Sequence, residues 1–290
     1  MSVLDSNVIS LDWLNTHLGH EGLKVVDASW FMPDAGRDCR QEWAQERIPG
    51  SVFFDFDNVI KDTHSLLPHM MPSSENFEYL VGQLGISDDH SLIIYSQSGL
   101  FSAARVWWMF KVMGHENVAV LNGTFAHWKK KGFPTDKGAP KQIQASTYTS
   151  NFKPYRIIDK QSLHQELKLH TSLVVDVRPE SRFRAEVPEP RVGIASGHMP
   201  NAENLSFLSL IDDGKLIPKD KILSLLKPFV SQPKPLISTC GSGVTACIFA
   251  LVTEEYEGKC VAVYDGSWSE WGADPTLPVV TDSPNQETKI

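Results

Sequence analysis

Several common functions are excluded by what this chain has little of. Lys and Arg number 27 against 35 Asp and Glu, for a formal net charge of -8 over 290 residues. A nucleic-acid binder presents a basic face. The one basic run here, Lys129-Lys130-Lys131, reads as the solvated end of a helix. No apolar stretch reaches the roughly 20 residues that span a bilayer. The N-terminus shows no basic region followed by an apolar run, so no export signal is read. The four cysteines (Cys39, Cys240, Cys247, Cys260) have no CxxC spacing, and no histidine or carboxylate cluster has metal spacing. A Gly-rich nucleotide fingerprint is absent too. These absences predict a protein without metal or cofactor, with reduced thiols, in the cytoplasm.

What the chain does have is Leu236-Ile237-Ser238-Thr239-Cys240-Gly241-Ser242-Gly243-Val244-Thr245-Ala246. A short apolar strand runs into a cysteine, two glycines and two hydroxyl residues, then a helix from Val244 to about Tyr256. Gly241 and Gly243 are expected to adopt backbone conformations closed to other residues. Successive N–H groups then turn inward as an anion-binding nest beside the sulfur, and the helix N-terminus adds partial positive charge. Such a setting favours the thiolate. A buried structural cysteine is the plainer reading, but it has no use for glycines on both sides of a serine.

The chain also repeats itself. Val25-Val26-Asp27-Ala28 is answered by Val174-Val175-Asp176-Val177, Arg47–Ser51 by Gly197–Ala202 and Val120–Trp128 by Val263–Trp271, at offsets between 143 and 151 residues. That is a duplicated domain rather than a short-period solenoid. In the second half, Leu173–Val177, Leu236–Thr239 and Cys260–Tyr264 read as buried strands. Lys160–Leu169, Lys219–Phe229 and Val244–Tyr256 read as the helices between them. Strand–helix alternation predicts an α/β fold, with a parallel sheet flanked by helices on both faces in each half. The expected boundaries are an inactive domain over 1–135, a linker over 136–156, a catalytic domain over 157–280 and a tail over 281–290. Aligning Ile93–Gly99 with Leu236–Ser242 sets Gln97 opposite Cys240, so only the second half is expected to do thiol chemistry.

Taken together, Asp27-Ala28-Ser29-Trp30, Ile48-Pro49-Gly50, Asp176-Val177-Arg178-Pro179, Ser196-Gly197-His198-Met199-Pro200, Cys240–Ala246 and Tyr264–Trp271 resemble the two-domain rhodanese-type sulfurtransferases. The neutral loop Cys-Gly-Ser-Gly-Val-Thr is similar to the members that use 3-mercaptopyruvate; those that use thiosulfate carry cations after the cysteine. Asn122-Gly123-Thr124 and Asn201 are mild departures from the family pattern. The resemblance implies two tandem rhodanese-like domains, the first inactive. It implies that Cys240 takes sulfur from 3-mercaptopyruvate as a persulfide, releases pyruvate, and passes the sulfur to thioredoxin, a small thiol or cyanide. Gly241, Ser242, Gly243, Val244 and Thr245 would form the persulfide loop, with turn and helix-cap chemistry as the plainer account of the two hydroxyls.

Arg182 and Arg191 match the family's substrate-binding arginines, and a guanidinium fork suits an α-keto acid's carboxylate. Asp57 and His69 match a carboxylate and a histidine that reach the loop and relay a proton through Ser242, with His64 competing for the second role. Arg184 is read as a solvent or domain-interface residue and His198 as structural. Trp107, Trp108, Trp128 and Trp271 are read as core. The protein is expected to be a monomer that binds neither nucleic acid nor membrane. Thiosulfate sulfur transfer and a non-catalytic sulfur-carrier module stay open. A phosphatase on this fold would need Cys-x5-Arg, and position 246 is Ala.

Overall fold

The computed structural model describes residues 4–140 and 142–281, so the expected tail lies, from residue 282 onward, outside the described residues. The chain divides into two units. The first holds the chain up to His64, Met71–Lys153 and Asp213–Leu216; the second holds Ser65–Met70, Pro154–Asp212 and the chain from Ile217 onward.

Each unit is built on a five-stranded parallel sheet. In the first, β1 (Val8–Ile9), β2 (Leu23–Asp27), β3 (Val52–Phe53), β4 (Ser91–Ser96) and β5 (Val118–Thr124) lie in the order β1-β5-β4-β2-β3. In the second, β6 (Ile157–Ile158), β7 (Leu173–Asp176), β8 (Glu203–Asn204), β9 (Leu236–Thr239) and β10 (Val261–Tyr264) lie in the order β6-β10-β9-β7-β8. Position by position the two orders are the same, which is the structural face of the duplication. The central strands carry short buried apolar segments, Val25-Val26, Leu92–Ile94, Val174-Val175 and Leu236-Ile237, and β4 is buried at all six positions. After β4 comes α1 (Leu100–Val112), in which only Phe101 is not buried. After β9 comes α2 (Ala246–Glu257), and after β10 the short α3 (Ser267–Trp271). The expected strands and helices of the second half are all present. The edge strands β6 and β8 have two residues each, too few to show a period.

Sheet register corrects the internal alignment by one residue. Asp27 pairs with Tyr95 and Asp176 with Thr239, and Ala28 and Val177 donate their N–H groups to the carbonyls of Tyr95 and Thr239. Ser96, not Gln97, therefore stands opposite Cys240, and Ser96-Gln97-Ser98-Gly99 opposite Cys240-Gly241-Ser242-Gly243. Gly99 and Gly243 then correspond, and both are left-handed, with φ of 73° and 75°. In the first unit the carbonyl of Gly214 accepts from the Leu100 N–H at 3.3 Å, and a Cβ on Gly99 would collide with that peptide. The mouth of the first loop is filled by the protein's own backbone.

The two aspartates at the strand ends show how the halves diverged. Each accepts a loop N–H: Ser29 donates to Asp27 at 2.8 Å and Arg178 to Asp176 at 2.9 Å. Asp176 also has the Arg178 guanidinium, while the first half has Ser29 at that place. Burial therefore pushes the Asp27 carboxyl up to about 6, against the hydrogen bonds of Ser29 and Tyr95. Between about pH 4 and 6 the folded protein holds a proton that the unfolded chain has released, so this group's contribution to stability falls as pH rises through that window. Asp27→Asn is expected to gain on the wild type across it, by about 1–3 kcal/mol, at 1.36 kcal/mol per pKa unit. Denaturant unfolding at pH 4 and pH 7 measures this. A pH-independent gap between the two proteins would contradict it.

Candidate active site

Cys240 follows the last residue of β9 at the carboxyl end of the sheet, where open α/β sheets bind ligands. It is 2 % exposed. Its backbone is clamped by the start of α3: Cys240 N donates to Ser267 Oγ at 3.3 Å, and the Cys240 carbonyl accepts from Trp268 N at 2.9 Å. Ser267 Oγ donates in turn to the Tyr264 carbonyl at 2.8 Å. Ser267 has φ of 50°, uncommon for a residue with a Cβ, and these bonds hold it there.

Among the described residues, the backbone N–H groups of Gly241, Ser242, Val244 and Thr245 meet no protein acceptor. Donors left open at a helix N-terminus are the setting in which anions bind. The helix starts at Ala246, two residues later than the sequence pattern suggests, so Val244 and Thr245 stay with the loop. In the first unit the helix begins directly after Gly99. Cys247 Sγ donates to the Gly243 carbonyl at 3.3 Å, tying the far side of the loop to the helix.

The two glycines do different work, contrary to expectation. Gly243 takes the left-handed conformation; Gly241 does not. A Cβ on Gly241 would lie 3.3 Å from Arg182 Nη2 and 3.9 Å from Nη1. Gly241 is small so that the end of a guanidinium can approach the loop. Arg182 sits in the short helix Glu180–Phe183. Its other edge is already engaged: Nε donates to Glu189 Oε1 at 3.1 Å, and Nη2 bonds Glu189 Oε2. The fork available to a ligand is thus the Nη1–Nη2 end rather than the Nε side.

Arg191 reaches the loop through a hydroxyl. Its Nη1 donates to Ser269 Oγ at 3.2 Å, and Ser269 Oγ donates to the Gly241 carbonyl at 2.6 Å. Behind Arg182 lies an alternating row of charges. Arg178 Nη2 pairs with Asp176 Oδ2 at 2.6 Å, and its Nη1 with Glu189 Oε1 at 2.9 Å. Its guanidinium also lies 4.2 Å from the centre of the Trp268 ring. Burial opposes its charge, but Asp176 and Glu189 outweigh that and hold its pKa above the ordinary guanidinium value.

Cys240, the loop, Arg182 and Arg191 are therefore brought together in the second unit. His69 belongs to that unit as well; it is 2 % exposed with φ of 63°. His64 is exposed and belongs to the first unit, as does Asp57. Asp57 lines a cavity of about 420 Å³ with Cys39, Asp55 and Trp30. Arg184 is half exposed and paired with Glu180. His198 stacks on Phe183 at 3.8 Å and hydrogen-bonds its carbonyl, and the four tryptophans are fully buried, as expected. Ser267, Ser269, Arg178 and Glu189 received no site role from the sequence. One signal for Ser269 was present: the duplicated motif has Ala126 in its place in the first half. Among the described residues no group of three or more His, Cys, Asp or Glu could hold a metal ion, and no helix is long and apolar enough to cross a membrane.

Comparison with known proteins gives the family and the fold. Residues 10–131 and 159–274 match the rhodanese-like domain family. The chain is 36 % identical over 273 residues to the 3-mercaptopyruvate sulfurtransferase of Escherichia coli K12, covering 93 % of this chain and 96 % of that one. It is 35 % identical over 294 residues to the mitochondrial thiosulfate/3-mercaptopyruvate sulfurtransferase 1 of Arabidopsis thaliana, covering 94 % of this chain and 77 % of that one. The crystal structure of an Escherichia coli 3-mercaptopyruvate sulfotransferase superposes with a TM-score of 0.81 at 33 % identity, covering 91 % of this chain and all of that one.

Proposed function

This chain belongs to the rhodanese family of sulfurtransferases, and we propose that it takes sulfur from 3-mercaptopyruvate through a persulfide on Cys240. The observation that carries the reading is the end of the Arg182 guanidinium set against Gly241, next to a strand-end cysteine whose loop amides are open. An α-keto acid bears a carboxylate that a guanidinium end receives with two parallel hydrogen bonds. Arg191, anchored through Ser269, supplies the second cation.

The Cys240 thiolate attacks the donor's sulfur. The carbon–sulfur bond breaks, its electron pair stays on carbon, and the resulting enolate takes a proton to become pyruvate. The persulfide is an anion, and the open amides of Gly241, Ser242, Val244 and Thr245 would stabilise it without offering a transferable proton. Ser242 adds a hydroxyl to the loop, and Thr245 a second at the helix start. His69, in the same unit as the loop, is the group suited to move a proton near neutral pH. An acceptor thiol (thioredoxin or a small thiol) or cyanide then attacks the outer sulfur and restores Cys240. The protein acts as a monomer in the cytoplasm.

Incubation with 3-mercaptopyruvate and no acceptor should leave one extra sulfur on the peptide containing Cys240, read by mass spectrometry. Sulfur mapped to Cys39, Cys247 or Cys260 instead would overturn the assignment. Arg182→Ala and Arg191→Ala are each expected to lower kcat/KM for 3-mercaptopyruvate by about tenfold to a hundredfold, the value of one charge-assisted hydrogen bond. Unchanged kcat/KM in both variants would remove the arginines from the donor site.

A further inference from the structure

We propose that Glu189 is a specificity-determining, positioning residue: by neutralising Arg182 from behind, it fits the site to a donor with one negative charge and sets it against a donor with two. The proposal rests on the reading above, in which Arg182 receives the donor's carboxylate.

The Glu189 carboxylate accepts from Arg178 Nη1 at 2.9 Å and from Arg182 Nε at 3.1 Å, and its second oxygen accepts from Arg182 Nη2. Its side chain is 4 % exposed. A carboxylate so buried is tolerated only with charge partners and full hydrogen bonding, and it has both. Pro188 and Pro190 flank it and fix their own φ angles, so the acid is presented from a stiff segment.

Asp176, Arg178, Glu189 and Arg182 form a chain of alternating sign whose formal charges sum to zero, and its last member is the one that meets the loop. Arg191 differs. Among the described residues it makes no ion pair, and its partner is the neutral Ser269 hydroxyl. The loop therefore faces two guanidinium groups but a net charge of about one. A monoanionic keto acid is matched by that charge; thiosulfate, a dianion, carries one charge more than the site offsets.

Glu189 has a second consequence. By occupying the Nε side it turns the Nη1–Nη2 end of Arg182 toward Gly241, where a carboxylate sits in plane with both nitrogens. The first unit has no counterpart of this arrangement, because Ser29 stands where Arg178 would be.

The test is steady-state kinetics with both donors on the wild type, Glu189→Gln and Glu189→Asp. The glutamine keeps the shape and one acceptor but removes the charge. It is expected to raise the ratio of kcat/KM for thiosulfate over 3-mercaptopyruvate by about tenfold or more, chiefly through a lower KM for thiosulfate. The aspartate keeps the charge with a shorter reach. It should lose activity toward both donors while holding the wild-type ratio within about twofold. If glutamine and aspartate depress both donors by the same factor, Glu189 is a structural support and the proposal fails.

A measurement on the wild type covers the case in which the glutamine variant does not fold. Inorganic sulfate should compete with 3-mercaptopyruvate no more tightly than pyruvate does. Sulfate binding tighter by about tenfold would overturn the proposal. Failure of the underlying reading looks different. It appears as Arg182→Ala with undiminished kcat/KM, whereas an unchanged donor ratio in Glu189→Gln with Arg182 still required defeats only the role of Glu189.

Discussion

Cys240→Ser is expected to bring sulfur transfer down to background while the protein stays folded. Serine oxygen does not hold a transferable sulfur, so the persulfide has nowhere to form. None of the other cysteines is placed to substitute. Cys247 is fully buried and donates to the Gly243 carbonyl. Burial pushes the Cys39 thiol up to about 11, which leaves little thiolate at neutral pH. Cys260 is exposed at the start of β10, at the opposite end of the sheet from the loop.

The fold should survive because the contacts recorded at this position are made by backbone: Cys240 N to Ser267 Oγ and the carbonyl to Trp268 N. The protein already contains the substitution. Ser96 occupies the corresponding position in the first unit, fully buried, with its hydroxyl donating to the Gly99 carbonyl at 2.7 Å, in an intact strand–loop–helix. Turnover with 3-mercaptopyruvate and cyanide, beside thermal unfolding of both proteins, checks the two halves of this expectation. Substantial turnover in the serine variant would remove Cys240 from the chemistry.

The second large effect is donor selectivity: kcat/KM is expected to be about a hundredfold higher for 3-mercaptopyruvate than for thiosulfate. Thiosulfate brings a second negative charge near the thiolate. At an effective dielectric constant of about 20 and a separation of about 6 Å, one more unit charge costs about 3 kcal/mol, or about a hundredfold. The residues after Cys240 supply amides and hydroxyls and no cation to offset it. Ser242→Lys should narrow the gap by about tenfold or more, since it places a cation in the loop. A cation at 241 would be a poor test, because a side chain there meets Arg182. Measuring both donors on wild type and variant decides the matter. A wild-type preference for thiosulfate would overturn the donor assignment and leave sulfur transfer standing.

Much of this was legible along the chain because it depends on neighbours in sequence. Strands β7, β9 and β10 announced themselves as short runs opening on apolar residues, and the helices between them as amphipathic or buried stretches. The duplication and the loop after β9 are patterns of residue type at short spacing; the two candidate arginines came from the family resemblance, and the fold sets Arg182 against Gly241 and Arg191 against Ser269. The helix start after Cys240 was two residues off because the loop, not helix propensity, decides where Val244 and Thr245 go.

Other features depend on residues far apart in the chain. The one-residue error in aligning the halves was invisible in sequence: Ser96-Gln97-Ser98-Gly99 and Cys240-Gly241-Ser242-Gly243 are brought into correspondence by hydrogen-bonded register with β2 and β7. Gly241 looked like a conformational glycine and is a spatial one, since the guanidinium it accommodates arrives from 59 positions earlier, at Arg182. The clamp of Ser267 and Ser269 on the loop crosses 27 and 28 residues. Residue types and local spacing sufficed for the fold class and the nucleophile's setting. Which edge of Arg182 faces the loop, and how much of its charge survives Glu189, are set by ion pairs that close only when the sheet has formed, because a guanidinium's partners are fixed by packing rather than by its place in the chain.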